Sequence, residues 1–222
     1  MPEVLSTSIG DLPLEEVQLS VGDREWSILH NGALITAEQE VEFLVGDKQA
    51  KRPYGIVLWP SAIALAHELA TRDLRGKRVL ELGAGTGLPG IIAASLGARV
   101  VQTDRQNVAL HVSKMNAARN KVELEQRIAD WTDWNETDVF DLIIGSDILY
   151  AEPLHPHLLK IFTGNLGMGG QVLIADPFRP ASIRLFEKLE ADQWGLQIDK
   201  WTIDLTPPPR NVGMFTLTPP QS

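Results

Sequence analysis

The stretch Val79-Leu80-Glu81-Leu82-Gly83-Ala84-Gly85-Thr86-Gly87-Leu88-Pro89-Gly90 constrains this chain more than any other, because a buried strand, an acid, a glycine turn and a helix start follow one another without a break. An apolar run that ends in glycines predicts a strand feeding a tight loop. Pro89 suits the first turn of a helix, where a missing N–H costs nothing. Glycines let the backbone pass close to a ligand without a side chain in the way, so this is where a nucleotide-like cofactor is expected.

Two overlapping patterns in the stretch point to different cofactors. Gly85-x-Gly87-x-x-Gly90 fits a dinucleotide fingerprint, and Glu81-x-Gly83-x-Gly85-x-Gly87 fits an S-adenosylmethionine loop. In a dinucleotide site the helix N-terminus holds a pyrophosphate, which a carboxylate just before the first glycine would oppose. S-adenosylmethionine has no phosphate and carries a sulfonium and an ammonium, so Glu81 favours the second frame. A second acid completes the pattern. Ala98-Arg99-Val100-Val101-Gln102-Thr103-Asp104 reads as the next strand of a βαβ unit and ends in a carboxylate about 20 residues beyond the glycines, where a ribose is gripped. Asp104 is therefore the expected ribose-binding residue, although an acid there would also serve as a turn or helix cap.

Upstream of this unit, residues 14–30 alternate in places, as in Val17-x-Leu19-x-Val21, then Gly22-Asp23 and Trp26-x-Ile28, which predicts a hairpin ahead of the main fold. From Pro60 to about Thr71 the apolar residues Ile63, Leu65, Ala66 and Leu69 fall at helical spacing. Further strands are expected at 98–103, 125–129, 139–146, 171–175, 196–205 and 213–218, with helices between most of them and none between the last two. Pro207-Pro208-Pro209 reads as a stiff turn joining that final pair. The expected division is a β-hairpin extension over 1–50 and a cofactor-binding unit over 51–222.

The chain has 222 residues, 44% hydrophobic and 22% charged, which suffices for one compact domain with a sizeable core. Its net charge of −9 comes with no Lys/Arg stripe for phosphates, so direct nucleic-acid binding is not expected, whereas a basic protein or an amine is compatible. No cysteine is present, so no disulfide framework or thiolate site is expected, in keeping with a cytoplasmic protein. Residues 1–13 lack the pattern of a secretory signal. The greasiest stretch, Ile56 to Ala70, is broken by Pro60, His67 and Glu68 and falls short of the roughly 20 apolar residues of a membrane span.

These motifs together resemble a class I, seven-strand S-adenosylmethionine-dependent methyltransferase. The resemblance is closest to the family 16 group of protein lysine methyltransferases and nicotinamide N-methyltransferase-like relatives, and it runs from roughly residue 52 to 218. Its carriers are Tyr54-Gly55-x-x-x-Trp59-Pro60-Ser61-Ala62, the Glu81–Gly90 loop, Asp104, Asp130-Trp131, and Phe140-Asp141-Leu142-Ile143-Ile144-Gly145-Ser146-Asp147-Ile148-Leu149-Tyr150. The last contains the Asp-x-x-Tyr signature of that family. The resemblance implies a Rossmann-like α/β fold, with a seven-stranded, mostly parallel sheet, an antiparallel last strand and helices on both faces. It implies cofactor contacts from Trp59, Glu81, Gly83, Gly85, Gly87, Asp104, Asp130, Trp131 and Ser146, with Asp130 near the adenine amino group. It also gives Asp141 a structural job.

Methyl transfer from a sulfonium is an in-line displacement that needs no metal, so positioning and a deprotonated nucleophile carry it. A lysine amine, of pKa about 10.4 in water, attacks only when neutral, and desolvation pushes it that way. Asp147 and Tyr150 fall where the parallel strands end, and their spacing lets them share a pocket if the segment turns helically. Asp147 is expected to orient the substrate nitrogen and Tyr150 to wall the channel; a helix N-cap would suit Asp147 equally. His67, His111, His155 and His157 form no metal-like set, and His155-x-His157 reads as a solvated helix entry. The readings carried forward are a protein lysine methyltransferase, a small-molecule N-methyltransferase, a non-catalytic cofactor-binding protein and, remotely, a dinucleotide oxidoreductase.

Overall fold

The computed structural model describes residues 3–7, 10–32, 54–204 and 208–220. Seven strands form the central sheet: β4 (Arg78–Leu82), β5 (Arg99–Asp104), β6 (Glu125–Ile128), β7 (Phe140–Ser146), β8 (Leu166–Asp176), β9 (Gly195–Ile203) and β10 (Arg210–Thr218). Their order is β6-β5-β4-β7-β8-β10-β9. Pairing is parallel from β6 through β8, whereas β10 runs antiparallel to both β8 and β9. Among the described residues five α-helices accompany them: α1 (Pro60–Ala70), α2 (Leu88–Ser95), α3 (Asn107–Arg119), α4 (His155–Asn165) and α5 (Pro180–Ala191). The expected seven-stranded α/β sheet with an antiparallel last strand is thus present.

Val79 to Leu82 of β4 are all buried, Glu81 included, because both faces of the sheet are covered. On one face Ile63, Leu65 and Leu69 of α1 and Ile91 and Ile92 of α2 pack with Val79, Ile144 and Leu173. On the other, Leu158 and Phe162 of α4 and Phe186 and Leu189 of α5 pack with Leu80, Ile143 and Ile174, and the Phe186 ring stacks on Phe215 at 3.9 Å between centroids. α1 opens on Pro60, as the sequence predicts. No helix among the described residues is long and apolar enough to cross a membrane.

The N-terminal region is richer than the expected hairpin. β1 (Glu3–Thr7), β2 (Gly10–Val21) and β3 (Arg24–His30) form a three-stranded antiparallel sheet. Pro13, which has no N–H and reads as a strand boundary, sits within β2 opposite Val4. The boundary expected at residues 50 and 51 lies outside the described residues, as does Pro207. β8 starts five residues before the expected 171, because its Gly167–Gly170 segment slips register between the Phe140–Leu166 and Leu142–Gln171 pairs. A bulge of this kind leaves no alternating side-chain pattern to read.

Candidate active site

The sheet reverses its winding direction at β4, with β5 on one side and β7 on the other, and open α/β sheets bind ligands at such a point, beyond the carboxyl ends of the strands. Leu82 pairs with Gly145, so the loop after β4 and the segment after β7 leave the sheet side by side. Nine of the eleven expected site residues, Gly83, Gly85, Gly87, Asp104, Asp130, Trp131, Ser146, Asp147 and Tyr150, follow or end a strand at this edge.

Gly83, Gly85 and Gly87 have φ of 65°, 56° and 80°, a left-handed backbone that favours glycine. Gly87 is the N-cap of α2, its N–H donating to the Ala84 carbonyl at 2.7 Å, and a Cβ there would fall on the Ser113 hydroxyl. A Cβ on Gly83 would meet Ile148 at 3.2 Å and the Trp131 ring at 3.3 Å, so this aromatic lies directly over bare loop backbone. Asp104 fixes the middle of the loop: its Oδ2 accepts from the Gly85 N–H at 3.1 Å and its Oδ1 from the Gln106 N–H at 2.8 Å. Burial pushes the Asp104 carboxyl up, and the two N–H groups oppose this.

Glu81 lies beneath the loop. Its Oε2 accepts from Gln102 Nε2 at 2.6 Å, and burial pushes its pKa up to about 8 against that bond and one from the Gly90 N–H. Sequence reasoning assigns Glu81 a negative charge toward a cationic ligand; in the fold burial favours its protonated form, and the side chain braces the loop from below. Gln102, which the sequence does not single out, is the hub of this layer. Its Nε2 also donates to the Gly87 carbonyl at 2.9 Å, and its Oε1 accepts from Ser113 Oγ at 2.6 Å and Gln126 Nε2 at 3.1 Å.

Asp130 accepts from the Thr132 N–H and hydroxyl at 2.8 and 2.7 Å, bonds that lower its pKa, and it caps the short 3-10 turn Trp131–Asp133. Trp59 occupies the N-cap position of α1 and is half-buried. Asp141 accepts from the Arg78 N–H at 2.8 Å, a contact between strands far from the loop end and so structural.

The segment after β7 departs from the helical turn envisaged. Asp147 takes a left-handed φ of 56° and its N–H donates to the Ala175 carbonyl at 2.9 Å, so it is not a helix N-cap. Ile148 and Leu149 enter the core, and Tyr150 emerges 46% exposed. The Asp147 carboxylate is instead turned inward. Its Oδ1 lies 2.5 Å from Arg179 Nη1, and Ser61 donates a hydrogen bond to it. Burial pushes its pKa up, with Arg179 the main opposing influence. Its Oδ2 is buried and has no hydrogen-bond partner. His155, expected at a solvated helix entry, does begin α4 but is buried, its Nε2 lying 3.1 Å from the Leu149 carbonyl, because the helix start folds back on this segment.

Arg179 and Asp176 escape the sequence reading, and Ser61 enters it as part of a motif without a role of its own. The available signal is Asp176, a third strand-end acid after Asp104 and Asp147, followed at once by Pro177.

A family model described as lysine methyltransferase matches residues 38–191. The protein N-lysine methyltransferase METTL21A of Danio rerio is 41% identical over 128 residues, 53% of this chain and 58% of that protein. The EEF1A lysine methyltransferase 3 of Mus musculus is 36% identical over 129 residues, 55% of each chain. The matched segment therefore spans little more than half the length of these relatives. Among solved structures, the Pyrococcus abyssi tRNA (uracil-54, C5)-methyltransferase in complex with S-adenosyl-L-homocysteine has a TM-score of 0.60 at 19% identity, over 92% of this chain and 44% of that one, a likeness of fold alone.

Proposed function

The chain belongs to the lysine methyltransferase family, and from that premise we propose that it transfers a methyl group from S-adenosylmethionine to the side-chain amine of a lysine in a protein substrate. One observation carries the reading. The glycine loop after β4 and Asp147 after β7 leave neighbouring strands at the same level, since Leu82 pairs with Gly145, so a donor held on the loop lies next to a buried acid.

The chemistry present fits this cofactor. Trp131 covers the bare backbone at Gly83, Asp104 stands at the end of the neighbouring strand for a ribose, and the loop is backed by the buried acid Glu81 rather than by a basic group. When bound, the cofactor supplies an electrophilic methyl on a sulfonium: an N–C bond forms as the S–C bond breaks, and the sulfur departs as a neutral thioether. The chain's part is positional. Asp104 and Gln102 hold the loop, Trp131 and Asp130 bound the adenine end, and Trp59 and Ser146 flank the donor. Asp147 accepts a hydrogen bond from the substrate nitrogen and points its lone pair at the methyl group, and Tyr150 lines the approach. Fixing the reacting groups in line is worth several powers of ten in rate.

On this reading residues 51–222 are the cofactor-binding unit and residues 1–50 an extension pinned to it through Asn116 and Asn120. The lack of cysteine accords with work in the reducing cytoplasm.

The test is incubation of the purified protein and its Asp147→Ala variant with methyl-labelled S-adenosylmethionine and an extract of the source cells. Label on a discrete protein band, lost in the variant, and located on lysine by mass spectrometry, is the expected result. Label confined to small molecules would point instead to an amine N-methyltransferase. Cofactor binding with no label anywhere would point to a non-catalytic protein.

A further inference from the structure

Three charged side chains, Asp147, Asp176 and Arg179, meet around the end of β8. Asp176, fully buried, accepts from the Arg179 N–H at 2.8 Å and from Ser182 Oγ at 2.7 Å, which turns the β8–α5 connection back on itself. That turn delivers Arg179 Nη1 to Asp176 Oδ2 at 3.2 Å and to Asp147 Oδ1 at 2.5 Å. The side chains of Arg179 and Asp147 are only 11% and 9% exposed. Two carboxylates therefore face one guanidinium, and Arg179 and Asp176 are among the charged groups that act on Asp147. Beside this ion pair Asp147 Oδ2 is buried without a hydrogen-bond partner. A buried charged oxygen left in that state is costly, and native structures rarely keep one without a ligand to meet it.

We propose that Arg179 is a positioning residue that grips Asp147 by Oδ1 and so reserves Oδ2 for the ammonium or amine of the methyl acceptor. This inference rests on the lysine reading above and adds to it a residue and a division of labour between the two oxygens. Arg179 opposes the upward push of burial on the Asp147 carboxyl and fixes its rotation, and Asp176, itself held by Ser182, holds Arg179. A cationic acceptor meets the buried oxygen with both a donor and a positive charge, whereas an anionic one does not. The cofactor's own cationic groups compete for that oxygen, and the experiment separates the two.

Initial rates of methyl transfer to the proteins of a source-cell extract are measured against pH, at saturating labelled S-adenosylmethionine, for the wild type, Arg179→Met and Arg179→Lys. The KM for S-adenosylmethionine and the thermal shift it produces are followed in parallel. Arg179→Met is expected to lower the rate tenfold or more near neutral pH and to move the acid limb of the profile up by about one unit, the size of effect a neighbouring opposite charge exerts on a carboxylate. Its KM for the cofactor is expected to stay within about twofold of the wild type. Arg179→Lys, which keeps the charge and loses the planar fork, should return the acid limb to its place and recover only part of the rate. A wild-type rate and an unmoved limb in Arg179→Met would overturn the proposal, as would a loss confined to the cofactor KM. If Arg179→Met does not melt cooperatively, Arg179→Gln is read in the same way, and an unmoved limb there overturns it too. Failure of the wild type itself to label any protein would remove the lysine reading and this inference together, a result distinct from normal labelling that ignores the substitutions.

Discussion

Asn116 pairs with Leu29 as a neighbouring strand would: its Oδ1 accepts from the Leu29 N–H at 2.7 Å and its Nδ2 donates to the Leu29 carbonyl at 3.0 Å. One helical turn later Asn120 repeats the arrangement on Ser27, at 3.1 and 2.8 Å. Two side-chain amides thus take the place of a strand along the Ser27–Leu29 edge of β3. Asn116 Nδ2 also donates to the Thr86 carbonyl at 2.9 Å, so one side chain ties the N-terminal sheet to the glycine loop.

Asn116→Ala should therefore destabilise the protein by about 2–4 kcal/mol, since it strands a buried N–H and two carbonyls rather than removing a matched pair. Urea denaturation followed by circular dichroism measures this. A change below about 0.5 kcal/mol would mean that water or a local shift satisfies all three groups.

Gly87→Ala combines a left-handed backbone with a Cβ placed on Ser113 Oγ, and Gly76 shares the backbone, at φ 72°, with nothing near its Cβ position. Gly87→Ala is expected to cost about 2–5 kcal/mol, against about 1 kcal/mol for Gly76→Ala. The difference between the two melting temperatures isolates the packing cost. Equal losses would show that Ser113 moves aside freely.

Glu81 produces a pH signature. Its carboxyl rises from an ordinary value of 4.5 to about 8 on folding, chiefly by burial. The folded state therefore holds a proton that the unfolded state releases, and the associated stability is complete below 4.5 and lost as the pH climbs to about 8. The slope is at most about 1.4 kcal/mol per pH unit for one proton. Glu81→Gln, which mimics the protonated form, should flatten the stability profile between those limits. Parallel profiles for wild type and variant would show that Glu81 titrates normally.

Asp104 secures the loop and stands at the ribose position, so Asp104→Ala should weaken S-adenosylmethionine at least tenfold, about 1.4 kcal/mol. Ligand bound only by the native state raises the melting temperature, so the shift at a fixed cofactor concentration should shrink in the variant. NAD should give no shift in either protein. A larger shift with NAD would favour the dinucleotide frame Gly85-x-Gly87-x-x-Gly90.

Local chemistry made much of this protein legible in its sequence. Strand β4, its acid, the glycine turn and α2 are contiguous, and positive φ at Gly83, Gly85 and Gly87 is something only a few residue types tolerate, so the sequence by itself determined that loop and the βαβ unit ending in Asp104. The continuous apolar run of β7 and the helical spacing of the large apolar residues in α1 were likewise legible, because both elements are buried along most of their length. The tertiary structure alone decided the partnerships between distant residues. Asn116 acting as a strand for Leu29, Gln102 joining Glu81 to Ser113, and Arg179 gripping Asp147 each link residues from 11 to 87 positions apart in the chain. It also turned Asp147 inward and left Tyr150 at the surface, where spacing alone allowed a shared pocket. Such pairings leave no period in the sequence, since a buried polar group is satisfied by whichever partner the packed elements bring within about 3 Å of it, and only the folded chain determines which partner that is.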